Sequence, residues 1–209
     1  MSERLEIRLQ GVNPRHIDRI VAVLVRGGLI AYPTDSGYAL GWRTGNRKAQ
    51  ERVIRIRQLD HRHHFTFCCR NLSDVGKLAK VENWAHRLIR QLTPGPFTFI
   101  LPASSEVPKN VQQRKTRTIG IRIPDHAVVQ AVLKSMDEPL LSSSLLLPDM
   151  DENVYDSEDL YDAVQGMIDL FVDAGYCRLE PTTLVDLSGD QPVVLRQGTG
   201  MLNFQKPFQ

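Results

Sequence analysis

At 209 residues the chain is long enough for one domain with a sizeable core, and its 42% hydrophobic residues can supply that core. No apolar run approaches the roughly 20 residues of a membrane-spanning helix, and Met1-Ser2-Glu3-Arg4 opens no apolar signal segment, so no membrane association and a cytoplasmic location are expected. The formal net charge of +2 hides an uneven spread: residues 1–125 carry 22 Lys/Arg against 10 Asp/Glu, and residues 126–209 carry 4 against 14.

Seventeen of those 22 cations are arginines, a residue suited to bidentate pairing with phosphate or carboxylate. Two arrangements satisfy the spread: a basic face for an anionic partner, or a fold in which the two parts neutralise each other. Cys68 and Cys69 are adjacent and Cys177 stands alone. That spacing fits neither a disulfide framework nor a structural metal site, so buried thiols and no protein-bound transition metal are expected.

Leu5, Ile7 and Leu9 alternate with polar residues, the signature of a half-buried strand. Asn13-Pro14 predicts a helix start, with Asn as cap and Pro at the first helical position. Ile17, Ile20, Val21, Leu24 and Val25 follow at helical spacing, and Gly27-Gly28 closes the helix. Residues 29–32 form an apolar run that Pro33, lacking a backbone N–H, is expected to end. A polar elbow follows, closed by Gly37, and residues 38–42 form a second apolar run. The prediction is strand, elbow, strand, with the hydroxyls of Thr34, Ser36 and Tyr38 near the bend.

Residues 46–58 predict an arginine-rich helix with Ala49, Val53, Ile54 and Leu59 inward and Arg47, Lys48, Arg52, Arg55 and Arg57 elsewhere. Asp60-His61-Arg62-His63-His64 lacks metal-ligand spacing and reads as an anion-facing loop. Residues 65–69 predict a short buried strand. Ser73-Asp74 and Asn83 are candidate caps of two helices, the second burying Trp84, Leu88 and Leu92. Thr93-Pro94-Gly95-Pro96 is a rigid turn into a strand over 97–101, and 102–118 is an exposed basic connection with Lys109, Arg114, Lys115 and Arg117.

Ile119, Ile121 and Ile123 alternate as a strand with Arg122 on its other side, and Asp125 is expected to cap a helix to Met136. Residues 140–147 are an apolar run that contains Ser142, Ser143 and Ser144. Three hydroxyls there need partners, as a satisfied core or as a ligand wall. Residues 149–162 are acidic and read as a surface insertion, helical from about Ser157. Short strands over 168–172, 183–187 and 193–196 follow. Without a repeat or a domain break, a single α/β domain over residues 1–209 is expected, built on a mixed, twisted sheet with helices packed on it.

The phosphate-loop, dinucleotide-binding and nucleophile-elbow signatures are missing. What remains is a set of hydroxyls and arginines at strand ends: Thr34, Ser36, Arg57, Arg122, Ser142, Ser144, Thr182, Thr183 and Arg196. It suits holding a multiply charged anion more than proton transfer. Gly27-Gly28 with Tyr32-Pro33-Thr34-Asp35-Ser36-Gly37-Tyr38-Ala39-Leu40-Gly41 resembles the amino-terminal motif of YrdC/YciO proteins. The likeness continues through Thr93-Pro94-Gly95-Pro96-Phe97-Thr98, Ile121-Arg122-Ile123-Pro124-Asp125-His126 and Pro139-Leu140-Leu141-Ser142-Ser143-Ser144. It ends with Pro181-Thr182-Thr183-Leu184-Val185-Asp186 and Leu195-Arg196-Gln197-Gly198. Asp35-Ser36-Gly37-Tyr38-Ala39-Leu40, Ile56-Arg57-Gln58-Leu59 and Ser143-Ser144-Leu145 look nearer the YciO branch.

The resemblance implies a YrdC-like α/β fold, a twisted open mixed sheet with a large positively charged cavity. In the family's synthases, ATP, bicarbonate and L-threonine give threonylcarbamoyl-AMP and pyrophosphate, toward threonylcarbamoyladenosine in tRNA. Relatives are also described as binding double-stranded RNA. Carried onto this sequence, the resemblance gives Thr34, Tyr38, Arg57, Arg122, Ser142, Ser144, Thr182 and Arg196 as the nucleotide- or substrate-binding set. It implies ATP as substrate, Mg²⁺ arriving with the nucleotide, threonine as a further ligand, and tRNA or double-stranded RNA as partner; no catalytic residue is assigned.

Two positions depart from the synthase pattern. Lys-x-Arg-Pro becomes Arg57-Gln58-Leu59-Asp60, unless the alignment shifts to Arg55-Ile56-Arg57, and Ser-x-Asn becomes Ser144-Leu145-Leu146. The expectation is a nucleotide- and RNA-binding YciO-type protein whose synthase activity is weak, altered or absent. The alternative is a competent L-threonylcarbamoyladenylate synthase in which histidines or neighbouring arginines replace the missing groups. A protein–protein adaptor using the acidic segment is a third reading.

Overall fold

The computed structural model describes residues 2–8, 12–60, 63, 65–148, 156–177 and 179–202. Strand β1 (Glu3–Glu6) leads to helix α1 (Pro14–Val25); Leu9 lies outside the described residues. Asn13 Oδ1 accepts the Arg15 N–H at 3.0 Å, and Pro14 sits in the first turn, where its missing donor costs nothing. Ile17, Ile20, Val23 and Leu24 form the buried stripe, whereas Val25 is exposed because it falls on the far side of that stripe.

The hairpin of β2 (Ile30–Thr34) and β3 (Gly37–Arg43) turns on Asp35-Ser36. Pro33 does not end the first strand; it pairs opposite Tyr38, and Thr34 pairs opposite Gly37. The strand on the other side of β2 reaches only Ile30 and Ala31, so Pro33 has an unpaired flank where no donor is needed. In α2 (Arg47–Arg57) Asn46 caps the Ala49 N–H, and the buried residues are Ala49, Val53 and Ile56. Ile54 and Leu59 are only partly buried against the same core.

Strand β4 (Thr66–Cys68) precedes α3 (Leu72–Leu78) and α4 (Asn83–Leu92). Neither helix is capped at the predicted Ser73-Asp74 or Asn83. Asn71 caps α3 by accepting the Asp74 N–H at 3.2 Å, and Asp74 returns a carboxylate oxygen to the Arg70 N–H at 3.1 Å. Glu82 occupies the cap position of α4 without a side-chain bond, and α4 buries Ala85, Leu88 and Ile89 with Trp84 and Leu92 partly buried beside them.

Strands β5 (Phe97–Pro102) and β6 (Thr118–Arg122) bracket the basic connection, which is not wholly exposed: Val107 and Val111 anchor it in the core. Helix α5 (Ala127–Met136) has His126 at its cap position, while the Asp125 N–H donates to Asp35 Oδ2 at 3.2 Å. Strand β7 (Leu140–Ser144), α6 (Ser157–Val164), β8 (Leu170–Asp173), β9 (Thr183–Asp186) and β10 (Val193–Arg196) follow among the described residues. Residues 149–155 of the acidic stretch lie outside the described residues; α6 begins at Ser157, with Asp156 as its cap.

The ten strands of the described residues form one mixed sheet in the order β1-β8-β2-β3-β7-β4-β6-β5-β9-β10. The pairs β1–β8, β8–β2, β4–β6 and β5–β9 are parallel and the others antiparallel. Helices α2, α3, α4 and α6 pack one face, around Trp42, Phe67, Phe99 and Phe171. On the other face, α1 and α5 pack against each other and against β2 and β8. That pair stops short of the far half of the sheet, and the uncovered half carries the cavity.

Candidate functional site

Strand periodicity builds the cavity floor. On β7, β4, β6 and β5, odd-numbered residues such as Leu141, Phe67, Ile121 and Phe99 enter the helix-covered core. Their even-numbered neighbours point the other way. The register sets Ser142 beside Thr66, Thr66 beside Gly120, and Gly120 beside Ile100 across four adjacent strands. Ser144, Cys68, Arg122, Thr98 and Leu184 continue the same face, and the cavity above them holds about 410 Å³. This is within the range of small-molecule sites.

Three guanidinium groups and an imidazole reach it. Arg57, the last residue of α2, comes round the end of β7 and donates to Ser143 Oγ at 2.6 Å and to the Leu146 carbonyl at 3.3 Å. Burial pulls the Arg57 guanidinium below its ordinary range. His63 Nε2 lies 3.4 Å from the same Ser143 oxygen. Arg122 is buried and donates to Ser36 Oγ and Asp35 Oδ1, both at 2.6 Å, and its Nε has no partner. Arg196 donates to the Thr182 carbonyl at 3.0 Å, and Thr182 shares a hydroxyl hydrogen bond with Thr98 at 2.8 Å.

Among the described residues no carboxylate lines the cavity, and none pairs with Arg57 or Arg196. Positive charge and hydroxyl donors therefore face the same space, the composition of an anion site. At its floor, the Tyr32 hydroxyl bonds Ser142 Oγ at 2.8 Å and meets Cys68 Sγ at 3.5 Å. Burial pushes both the Tyr32 hydroxyl and the Cys68 thiol up, so both stay neutral and the thiol is a packing group, not a thiolate nucleophile.

Of the residues singled out from sequence, Tyr38, Arg57, Arg122, Ser142, Ser144, Thr182 and Arg196 line this one cavity. Thr34 does not: its buried hydroxyl donates to the Gly37 carbonyl at 2.7 Å and accepts the Ser36 N–H at 3.1 Å, closing the turn that presents Ser36. Tyr38 touches the cavity, but its hydroxyl is committed to the backbone of Ala174 and Gly175, and its ring stacks on Phe171 at 5.1 Å. The three serines divide as the period dictates: Ser142 bonds Tyr32, Ser143 bonds Arg57, and Ser144 is exposed to the cavity. Of the histidine-rich loop, His63 faces the site, and His61, Arg62 and His64 lie outside the described residues.

The floor also includes Thr66, Thr98 and Gly120, which are not in the set read from the sequence. Thr98, a lone polar residue between Phe97 and Phe99, was the available signal. Arg55 lines a different recess, with Arg52 and Met167, so the shifted alignment would not bring a second cation to the cavity. Leu59 packs against the core, and Leu145 is buried in it while Leu146 borders the cavity.

A ten-stranded mixed sheet with helices on both faces and an arginine- and hydroxyl-lined cavity defines the class, and the family model Sua5_yciO_yrdC, described as telomere recombination, matches residues 22–198. The chain belongs to the Sua5/YciO/YrdC family. YciO of Escherichia coli strain K12 is 43% identical over 208 residues, all of both chains, and the crystal structure of E. coli YciO superposes with a TM-score of 0.92 over 96% of this chain and 98% of that one. More distantly, the threonylcarbamoyl-AMP synthase of Pyrococcus abyssi is 28% identical over 186 residues, 86% of this chain and 53% of the synthase. P. abyssi Sua5 complexed with L-threonine shares the fold at a TM-score of 0.79 and 22% identity, over 95% of this chain and 57% of that one.

Proposed function

We propose that the cavity binds a nucleotide, ATP or AMP, and that the basic surface binds double-stranded RNA or tRNA, with threonylcarbamoyl-AMP synthase activity weak, altered or absent. The observation that carries the nucleotide reading is the convergence of Arg57, Arg122 and Arg196 with hydroxyl donors on one space of about 410 Å³ whose described lining holds no carboxylate. A triphosphate needs several cationic donors held in place before it arrives, and these are fixed by bonds to Ser143, Ser36 and Thr182. Mg²⁺ would enter on the phosphates of the nucleotide, since the described lining offers it no carboxylate.

Weak synthase activity follows from Leu59 and Leu146. The resemblance places a guanidinium and an amide of the synthases there, and two apolar side chains stand in their place, one packed in the core and one at the rim. Each lost donor to a developing charge costs on the order of 10²-fold in rate. Titration calorimetry with ATP, AMP and L-threonine tests binding, with a micromolar to millimolar nucleotide complex expected. Incubation with ATP, labelled bicarbonate and threonine tests the chemistry; rapid formation of threonylcarbamoyl-AMP would overturn the weak-activity reading. One observation favours that competent alternative: His63, whose Nε2 lies 3.4 Å from the Ser143 oxygen that Arg57 also engages, lines the cavity and can supply a polar contact to a ligand there.

For the RNA partner, exposed Lys80, Lys109, Arg114 and Arg117 surround a second recess. Asn110 in this segment exchanges side-chain and backbone hydrogen bonds with Gln50 of α2, at 3.1 and 3.3 Å, which sets the basic connection beside the arginine-rich helix. Affinity for a duplex should fall steeply with salt as counterions are released. RNA binding that is absent, or insensitive to salt, would remove this part of the proposal.

A further inference from the structure

The Asp35–Arg122 ion pair joins two elements that are not neighbours in the sheet. Asp35 sits at the tip of the β2–β3 hairpin, and Arg122 ends β6. Between β3 and β6 lie β7 and β4, three inter-strand steps of ~4.8 Å or ~14 Å in all. Spanning that distance takes a hairpin tip that leans across the ends of two strands and an extended arginine that meets it. Three contacts hold the crossing: Asp35 Oδ1 takes an N–H of Arg122 at 2.6 Å, Asp35 Oδ2 takes the Asp125 N–H at 3.2 Å, and Ser36 Oγ takes a second Arg122 N–H at 2.6 Å. Both partners are largely buried, with Arg122 at 9% and Asp35 at 15% side-chain exposure, so the pair is shielded from screening by solvent.

A guanidinium has five N–H donors in a rigid plane. The turn engages one on each terminal nitrogen, and Nε makes no bond although it is buried. Arg122 itself lines the cavity. The guanidinium is thus gripped through both terminal nitrogens and held in one place beside the cavity.

We infer that Asp35 is a positioning residue for the cavity: it clamps Arg122 so that the guanidinium is held in place for an anionic group of the ligand. This rests on the reading of the cavity as an anion site. The pairing makes a prediction whose sign is opposite to that of simple charge balance. Were Asp35 only a neutralising counter-ion, removing it would raise the local positive charge and tighten anion binding. As a clamp, its removal frees the long Arg122 side chain, which must then be ordered on binding, and anion affinity falls.

Two measurements on the full chain decide this, with Asp35→Ala as the variant. In the ¹⁵N NMR spectrum of the free protein, the Arg122 Nε–H, assigned by its loss in Arg122→Gln, should be dispersed and slow to exchange, and should move to the exposed-arginine position in Asp35→Ala. In titration calorimetry with inorganic pyrophosphate and with AMP, Asp35→Ala should bind about tenfold more weakly and should have no further effect in an Arg122→Gln background. An unchanged Arg122 Nε–H signal, or tighter pyrophosphate binding, overturns the inference. If Asp35→Ala fails to fold, Asp35→Asn, which keeps the side-chain shape, carries the NMR measurement, with faster Nε–H exchange expected and an unchanged rate overturning the inference. If the wild-type protein binds neither anion, the anion-site reading falls, while the Nε–H measurement still decides whether Asp35 holds Arg122.

Discussion

Gly41 pairs with Ser142 of the cavity floor and sits against the Tyr32 ring, and replacing it with alanine tests how tightly the hairpin and the floor are coupled. A methyl group on Gly41 would lie 2.6 Å from Cε1 and 3.1 Å from Cδ1 of the Tyr32 ring. The ring has little freedom to yield, because it is buried and its hydroxyl is tied to Ser142 and Cys68. Overpacking of this kind costs about 1–3 kcal/mol, and loss of the Tyr32–Ser142 bond adds about 1 kcal/mol if the ring swings away. Alanine recovers about 0.5–1 kcal/mol of backbone entropy in a strand, which leaves a net loss of about 1–3 kcal/mol. Urea unfolding measures it, with Tyr32→Leu and the double variant completing a cycle. Tyr32→Leu removes the ring that the methyl strikes, so the double variant should be more stable than the two single losses predict by at least about 1 kcal/mol. A Gly41→Ala loss below about 0.5 kcal/mol, or strict additivity with Tyr32→Leu, would refute the reasoning.

Three further outcomes are expected. Arg57→Met should weaken ATP binding about tenfold or more without lowering urea stability, because it removes a half-buried cation that no described carboxylate neutralises; calorimetry and unfolding on the same sample check both halves. His126 is held below its ordinary value of 6.5 by burial, with Arg122 acting in the same direction and Asp35 and Asp125 against it. As pH falls below 6.5 the unfolded chain takes up a proton that the folded state resists, so stability should drop on the acid side through this group, and His126→Gln should flatten that part of a stability–pH profile. Gly198→Ala would place a methyl 2.1 Å from the Pro181 carbonyl oxygen and 2.4 Å from the Thr182 carbonyl carbon, backbone atoms that cannot rotate away. It should cost about 1–3 kcal/mol and displace the Thr182–Arg196 wall, with reduced AMP affinity as the functional readout.

Local chemistry was enough to read much of this molecule. Asn13-Pro14 set the start of α1, the alternation of isoleucines gave β6 with Arg122 on its opposite side, and the arginine-rich helix ended where the periodicity ended. These features depend on dihedral preferences and on a period of 2 or 3.6, which a short stretch of sequence contains in full. Caps were less legible, because Asn71 and Asp74 act as a pair and either alone looks like a start. Pro33 was misleading for a different reason: whether a missing N–H breaks a strand depends on which neighbour lies alongside, and β8 stops at Ala31.

The cavity is a tertiary object. Serine hydroxyls on β7, threonines on β4 and β5 and a glycine on β6 become one floor only because the order β7-β4-β6-β5 brings four distant stretches into register. Thr34 shows the limit in a single residue, since its hydroxyl type suited a ligand contact and its position in the turn gave it to the Gly37 carbonyl instead. Residue type and the two-residue period already say which side chains carry charge and hydroxyls and which face of a strand each takes. Which of them share a space depends on the folded chain, because strand order and the reach of a long side chain such as Arg122 are set by contacts between segments far apart in sequence.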